Sequence, residues 1–230
     1  MGRPWEGWNR TAVHGNFFWT CTCIYNFKED HDVNKTKNSR HNRRRQDERS
    51  EALAKAGAKV FVGNLIEPDD LRQAMHGVQR AYFCAPWTPE QLHGAMNFAV
   101  TAADTGLEVV VSLTQWLAQP QHPSVATRQS YMTDRVFDWM PGVDSVTINT
   151  GWFADNYMAV LGTIAHLGIF PFPLGEGRTA SVSNEDIARV VVGALVNPAP
   201  HVGKFYRPTG LELLVHTSLQ RSMRRCLDAQ

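Results

Sequence analysis

Three residues in the middle of the chain combine types that move protons. Ser112 closes the apolar run VVVS, and Tyr131 and Arg135 lie four apart, so on a helix they share one face. Arg135 is always charged and can stabilise a phenolate on such a neighbour. The plainer readings are a surface or subunit-interface tyrosine and a strand-end hydroxyl that caps a turn. Other chemistries find less support. The 9 histidines contain no H-x-x-x-H pair, and Cys21-x-Cys23 has no second ligand pair at a usual spacing. No G-x-S-x-G elbow is present. Cys84 lies in an apolar run and reads as a buried thiol, not as part of a disulfide framework.

The elements that must position these residues alternate between strand and helix. RSEALAKA is a run of helix formers stopped by Gly57, and AKVFVGN after it is a short apolar strand. Pro68 opens the helix PDDLRQAMH, which ends before Gly77, and QRAYFCA is the next strand. Thr88-Pro89-Glu90-Gln91 has the form of a capping box, and the helix behind it runs to Gly106. EVVVSL is a third strand, a helix spans about 127–138, and VDSVTIN is a fourth strand. Short apolar strands separated by helices favour a parallel sheet covered on both faces. In such sheets ligands bind beyond the carboxyl ends of the strands. That rule selects Gly63-Asn64, Ala85-Pro86-Trp87-Thr88, Ser112 to Gln115 and Thr150-Gly151-Trp152.

Residues 49–214 resemble the NmrA-like family of atypical short-chain dehydrogenases/reductases. The segments that carry the resemblance are RSEALAKAGAKVFVGNLIEPDDLRQAMHGVQRAYFCAP, TINTGWFADNY, VSNEDIARVVVGALVNP and KFYRPTG, in that order. The resemblance implies an α/β fold, a Rossmann-like doubly wound parallel sheet, with NADP(H) or NAD(H) as cofactor. It implies an oxidoreductase acting on a small carbonyl or quinone. The alternative is a regulator that senses nicotinamide nucleotides without turnover, since both kinds share the scaffold.

The same resemblance assigns roles to the strand-end residues. Gly63, Asn64, Ala85, Pro86, Trp87 and Thr88 fall where the family meets the adenosine half of the cofactor. Gly151, Trp152, Phe153 and Asn156 fall where it borders the nicotinamide and substrate. Ser112 falls near the nicotinamide. Reductases of the wider superfamily pair such a serine with a tyrosine and, four residues on, a lysine. Here Arg135 replaces the lysine, and Asn64 stands where an acidic residue is usual. The cluster Arg43, Arg44, Arg45 and Arg49 could meet a 2′-phosphate.

Both ends depart from the pattern. The family opens with a strand, a glycine-rich turn and a helix, whereas the glycines before Gly57 are Gly2, Gly7 and Gly15, which make no such motif. The expectation is a first β-α unit that is missing or remodelled. Residues 1–48 read as an atypical segment without a sustained apolar period, rich in basic residues, in which IYNF is too short to serve as the first strand. Residues 215–230 read as a short, weakly patterned tail in place of the family's further helices. A shifted reading frame at both junctions, yielding a non-functional remnant, is one explanation that resequencing tests. The formal net charge of +1 gives no electrostatic case for nucleic acid. No apolar run suggests a membrane span, so a cytoplasmic protein with a small-molecule substrate is expected, with a homodimer as one assembly open to it.

Overall fold

A computed structural model of the chain describes residues 11–12, 48–55, 58–61, 63–85, 88–171 and 175–228. In chain order the elements are β1 (Thr11–Ala12), α1 (Glu48–Lys55), β2 (Lys59–Val60), α2 (Pro68–Met75), β3 (Arg80–Phe83), α3 (Gln91–Thr105), β4 (Val109–Gln115) and α4 (Val125–Asp138). There follow β5 (Asp144–Thr150), a 3₁₀ segment (Ala154–Val160), α5 (Leu161–Leu167), β6 (Arg178–Thr179), α6 (Asn184–Val196), β7 (Phe205–Tyr206), β8 (Leu214–Val215) and α7 (His216–Asp228).

Four strands form the central sheet in the order β3-β4-β5-β7, all parallel. The β-branched runs explain it. Val109, Val110 and Val111 are all buried, as both faces of a covered parallel sheet require. On one face Val110, Phe83 and Ala81 pack with Leu71 and Met75 of α2, Phe98 and Ala102 of α3, and Phe137 of α4. On the other face Val109, Val111, Val146 and Ile148 pack with Ile187, Val191 and Leu195 of α6. The sheet is therefore wound with helices on both sides. Its first face is keyed by three rings, Phe83, Phe98 and Phe137, with centroids 4.9 to 5.8 Å apart.

A smaller cluster lies beside this sandwich. Tyr157, Ile164 and Phe170 pack with Leu219 of α7, and Met223, one turn further on, lies against them. The segment 215–230, read from sequence as a weakly patterned tail, thus contains a helix whose Leu219 and Met223 share an inward face.

The remodelled start takes a definite form among the described residues. Thr11–Ala12 lies parallel beside Lys59–Val60, so a strand from the first part of the chain occupies the position next to β2. IYNF, the glycine positions before Gly57 and Arg43 to Arg45 lie outside the described residues.

Two local expectations are corrected. The capping box at Thr88 does not form: α3 begins at Gln91 behind a turn in which the Gln91 N–H donates to the Thr88 carbonyl at 3.1 Å. The Gln91 side chain is buried and turned toward Ser130 of α4, so it is not available to reach back to Thr88. Ser112 does not close its strand. β4 continues through Leu113 and Thr114 to Gln115, because all seven of its residues pair with β5.

Candidate functional site

The carboxyl edge of the sheet is where the strand-end residues gather. Trp116 leaves β4, Gly151 leaves β5, Arg207 leaves β7, and Cys84 with Ala85 leaves β3. β5 is central to this edge. Its last residue, Thr150, accepts the Trp116 N–H at 2.8 Å, which ties the start of the loop after β4 to the end of β5. Gly151 then opens on free space: a Cβ built there meets nothing within 4 Å. Trp152 beside it is 39% exposed. The segment is held from the far side, where Val182 donates to the Trp152 carbonyl and Ala154 donates to the Val182 carbonyl, at 3.1 and 2.8 Å. Phe153 turns inward onto the α6 face of the core. The edge thus presents an open backbone step at Gly151 and an indole at Trp152 on a rigid support.

Asn156 is exposed and its side chain makes no hydrogen bond among the described residues. Its neighbour Asp155 does the structural work, accepting the Asn184 N–H at the start of α6 at 3.0 Å. Asn64 is committed locally. Its side-chain oxygen accepts the Ile66 N–H at 3.3 Å, and its own N–H donates to Asp70 at 2.8 Å, which forms the turn into α2. Gly63 is required by packing: a Cβ there would lie 2.8 Å from the Phe61 ring and 3.0 Å from Asp70. Ala85 packs against the core, Thr88 belongs to the turn before α3, and Pro86 and Trp87 lie outside the described residues.

The three proton-moving candidates are not assembled as a set. Ser112 has no exposed surface, lies by strand alternation on the same side of β4 as Val110, and its hydroxyl has no partner among the described residues. Tyr131 and Arg135 do share a face of α4, with the guanidinium carbon 5.5 Å from the phenol ring centroid. That guanidinium also lies 5.7 Å from the Phe205 ring and pairs with Asp138 at 2.5 Å. Asp138 in turn accepts from Ser145 near the start of β5. Arg135 is therefore drawn toward the amino end of the sheet, away from the edge that carries Gly151.

Beneath the open edge lies a polar cluster that sequence reading missed. Thr114 Oγ1 donates to Asp134 Oδ1 at 2.8 Å, and Asn149 Nδ2 lies 3.2 Å from Asp134 Oδ2 and 2.5 Å from Thr114 Oγ1. All three residues are buried. Burial pushes the Asp134 carboxyl up to about 6, against the opposing pull of its hydrogen bonds from Thr114 and Asn149. One turn closer to the edge, Gln115 bonds Ser130 at 3.1 Å and Thr127 at 3.3 Å. These bonds fix the first half of α4 against the ends of β4 and β5. Thr114 and Asn149 are adjacent only through the strand register, so no local motif could have announced them.

No family model matches the chain. Two curated relatives do. The NAD(P)H azoreductase of Xenophilus azovorans is 28% identical over 163 residues, covering 69% of this chain and 54% of that protein. Quinone oxidoreductase 2 of Escherichia coli strain K12 is 22% identical over 162 residues, covering 70% of this chain and 56% of that protein. The chain spans about half the length of these relatives. Among solved structures, an NADPH-dependent quinone oxidoreductase from Escherichia coli complexed with NADPH aligns with a TM-score of 0.69 at 20% identity, covering 78% of this chain and 63% of that one. The triphenylmethane reductase of Citrobacter sp. complexed with NADP(H) aligns with a TM-score of 0.68 at 17% identity, covering 77% of this chain and 63% of that one. The fold of this chain is the Rossmann-like α/β fold of those reductases.

Proposed function

We propose that the chain is the nucleotide-binding core of an NAD(P)H-dependent oxidoreductase of the NmrA-like kind, acting on a quinone, an azo compound or another small carbonyl-like acceptor. The observation that carries this reading is the edge at Gly151: an open backbone step beside an exposed indole, at the carboxyl end of a central parallel strand. The curated relatives and the NADPH-bound neighbour support it.

The residues present fit the nicotinamide half of such a cofactor. A flat ring can lie against Gly151 because no Cβ occupies that space, with Trp152 as an apolar wall and Asn156 free to hydrogen-bond a ligand. Among the described residues no glycine-rich turn leads from a strand into a helix for the pyrophosphate. Ala85 and Thr88, at the end of β3, would border the adenosine half. When bound, the dihydronicotinamide supplies a hydride. The chain supplies orientation: Trp152 excludes water from one side, and the Thr150–Trp116 bond holds the walls in place. Tyr131 is the proton donor of this reading. Its use requires Arg135 to exchange Asp138 for the phenolate.

That requirement favours a second reading. Because Arg135 is paired with Asp138 and Ser112 is buried, a nucleotide-sensing protein without turnover is consistent with the same edge. We extend both readings to a cytoplasmic location and a homodimer. For the dimer, Val125 and Met132 of α4, Trp139 at its C-terminal cap, and Met96 and Val100 of α3 are exposed apolar side chains.

Calorimetric titration with NADPH and NADH, followed by steady-state quinone reduction, tests the proposal. Micromolar nucleotide binding with turnover that disappears in Trp152→Ala is the expected result. Binding without turnover on quinone, azo and carbonyl acceptors selects the sensor. Folded protein that binds neither nucleotide at millimolar concentration overturns both.

A further inference from the structure

The carboxyl edge holds a guanidinium, Arg207, that no carboxylate among the described residues neutralises. Arg207 follows β7, and its guanidinium carbon lies 5.3 Å from the centre of the Trp116 ring, which follows β4. In the sheet order β5 stands between those two strands, so the pair bridges the end of β5 where Gly151 begins. Both partners have constrained backbones. Trp116 is bound through its N–H to Thr150, and Arg207 precedes Pro208, which restricts its backbone to extended conformations. Both are also open to solvent, Trp116 at 38% exposure. Arg207 makes no hydrogen bond or ion pair among the described residues, whereas Arg80, Arg135 and Arg189 each pair with a carboxylate. The carboxylate nearest in sequence to Trp152 on this edge, Asp155, is occupied with the Asn184 N–H. An unneutralised guanidinium laid on an aromatic face is preorganised for an anion, and its planar fork suits a carboxylate in two parallel hydrogen bonds.

We infer that Arg207 and Trp116 form a specificity-determining pair, which selects acceptors carrying an anionic group on an aromatic ring. The anion meets Arg207, the ring lies along the apolar surface of Trp116 and Trp152, and the reducible group is brought over Gly151. This rests on the oxidoreductase reading for its use, but not for the binding itself.

The test separates the two. Calorimetric titration compares 2-naphthoate with neutral 2-naphthol on the wild-type chain, Arg207→Gln, Arg207→Lys and Trp116→Ala. The wild type is expected to prefer the naphthoate by about tenfold or more, in line with a charge-assisted hydrogen bond. The preference should collapse toward unity in Arg207→Gln, survive in part in Arg207→Lys, and weaken for both compounds in Trp116→Ala. In turnover, the ratio of kcat/KM for a carboxylated naphthoquinone over the neutral one should fall by a similar factor of about ten in Arg207→Gln. Wild type and Arg207→Gln with the same naphthoate preference would overturn the inference, as would an Arg207→Gln effect confined to NADPH affinity. Charge-selective binding without turnover on any acceptor would instead overturn the oxidoreductase reading and leave the pair standing. Both Arg207 variants change an exposed side chain, and their urea midpoints check that they fold.

Discussion

Thr114 Oγ1 of β4 donates a 2.8 Å hydrogen bond to Asp134 Oδ1 of α4, and this contact ties the helix that carries Tyr131 to the strand that leads to Trp116. Its energetics depend on pH. The Asp134 carboxyl is raised from 3.8 to about 6 in the folded chain, so the native state binds its proton more tightly than the unfolded state does. Stability therefore falls as pH rises from about 4 to about 6, and is lower by up to about 2–3 kcal/mol once both states are ionised. The expected outcome is a urea midpoint that declines across this interval in the wild type and stays flat through it in Asp134→Asn. Asp134→Ala should cost about 2–3 kcal/mol, because Thr114 and Asn149 lose a buried partner. Equal pH slopes in wild type and Asp134→Asn would sink this account.

Burial also pushes the Cys84 thiol up, to about 11, with the Tyr82 hydroxyl lowering it only in part. Only about one molecule in a thousand then carries the reactive thiolate at pH 8. Peptide-resolved mass spectrometry after iodoacetamide treatment should find Cys84 unmodified in the native chain and fully modified in denaturant. Rapid native labelling of Cys84, which is half-buried, would show that its surroundings do not hold the thiol protonated.

The sequence announces some of this architecture and hides the rest, for identifiable reasons. Gly106 was legible as a stop because only a left-handed residue ends α3 there, and it adopts φ 71° with its N–H on the Ala102 and Ala103 carbonyls. The Val109–Val111 run was legible as a doubly covered strand. The end of β4 is hidden because Ser112-Leu113-Thr114-Gln115 alternates in polarity like a loop entry, yet Thr114 and Gln115 find polar partners inside. Asp134 and Asn149 meet only through tertiary packing, and Arg207 reaches Trp116 only because β7 joins the sheet beyond β5. Contacts of this kind leave no spacing in the chain. Tyr131 and Arg135, by contrast, were placed together by helical spacing, but the same helix also supplied Asp138 as a competing partner.

The aromatic cluster predicts the largest loss of stability. Phe137 packs its ring against Phe83 at 4.9 Å and Phe98 at 5.8 Å, joining β3, α3 and α4. Phe137→Ala should cost about 3–5 kcal/mol, the transfer loss plus the cavity left among rings that cannot collapse. Phe137→Leu retains most of the volume and should cost about 1–1.5 kcal/mol. Urea unfolding followed by far-UV dichroism reads both values. A loss below about 1 kcal/mol for the alanine variant would mean that this cluster is not the centre of the core.

Two glycines separate stability from binding. Gly210 donates its N–H to the Ala180 carbonyl, and a Cβ added there would lie 2.2 Å from the Ser181 backbone oxygen. That obstacle is main chain and cannot rotate away, so Gly210→Ala should lower the urea midpoint clearly, by the equivalent of about 2 kcal/mol. Gly151 meets nothing within 4 Å and is not among the positive-φ glycines, so Gly151→Ala should fold as the wild type does. The added methyl instead occupies the space proposed for the nicotinamide ring. Calorimetry on Gly151→Ala, and on the bulkier Gly151→Val, should show progressively weaker NADPH binding, about tenfold at the alanine step for a loss near 1.4 kcal/mol. Unchanged affinity in both variants would place the cofactor elsewhere and remove the observation on which the functional proposal stands.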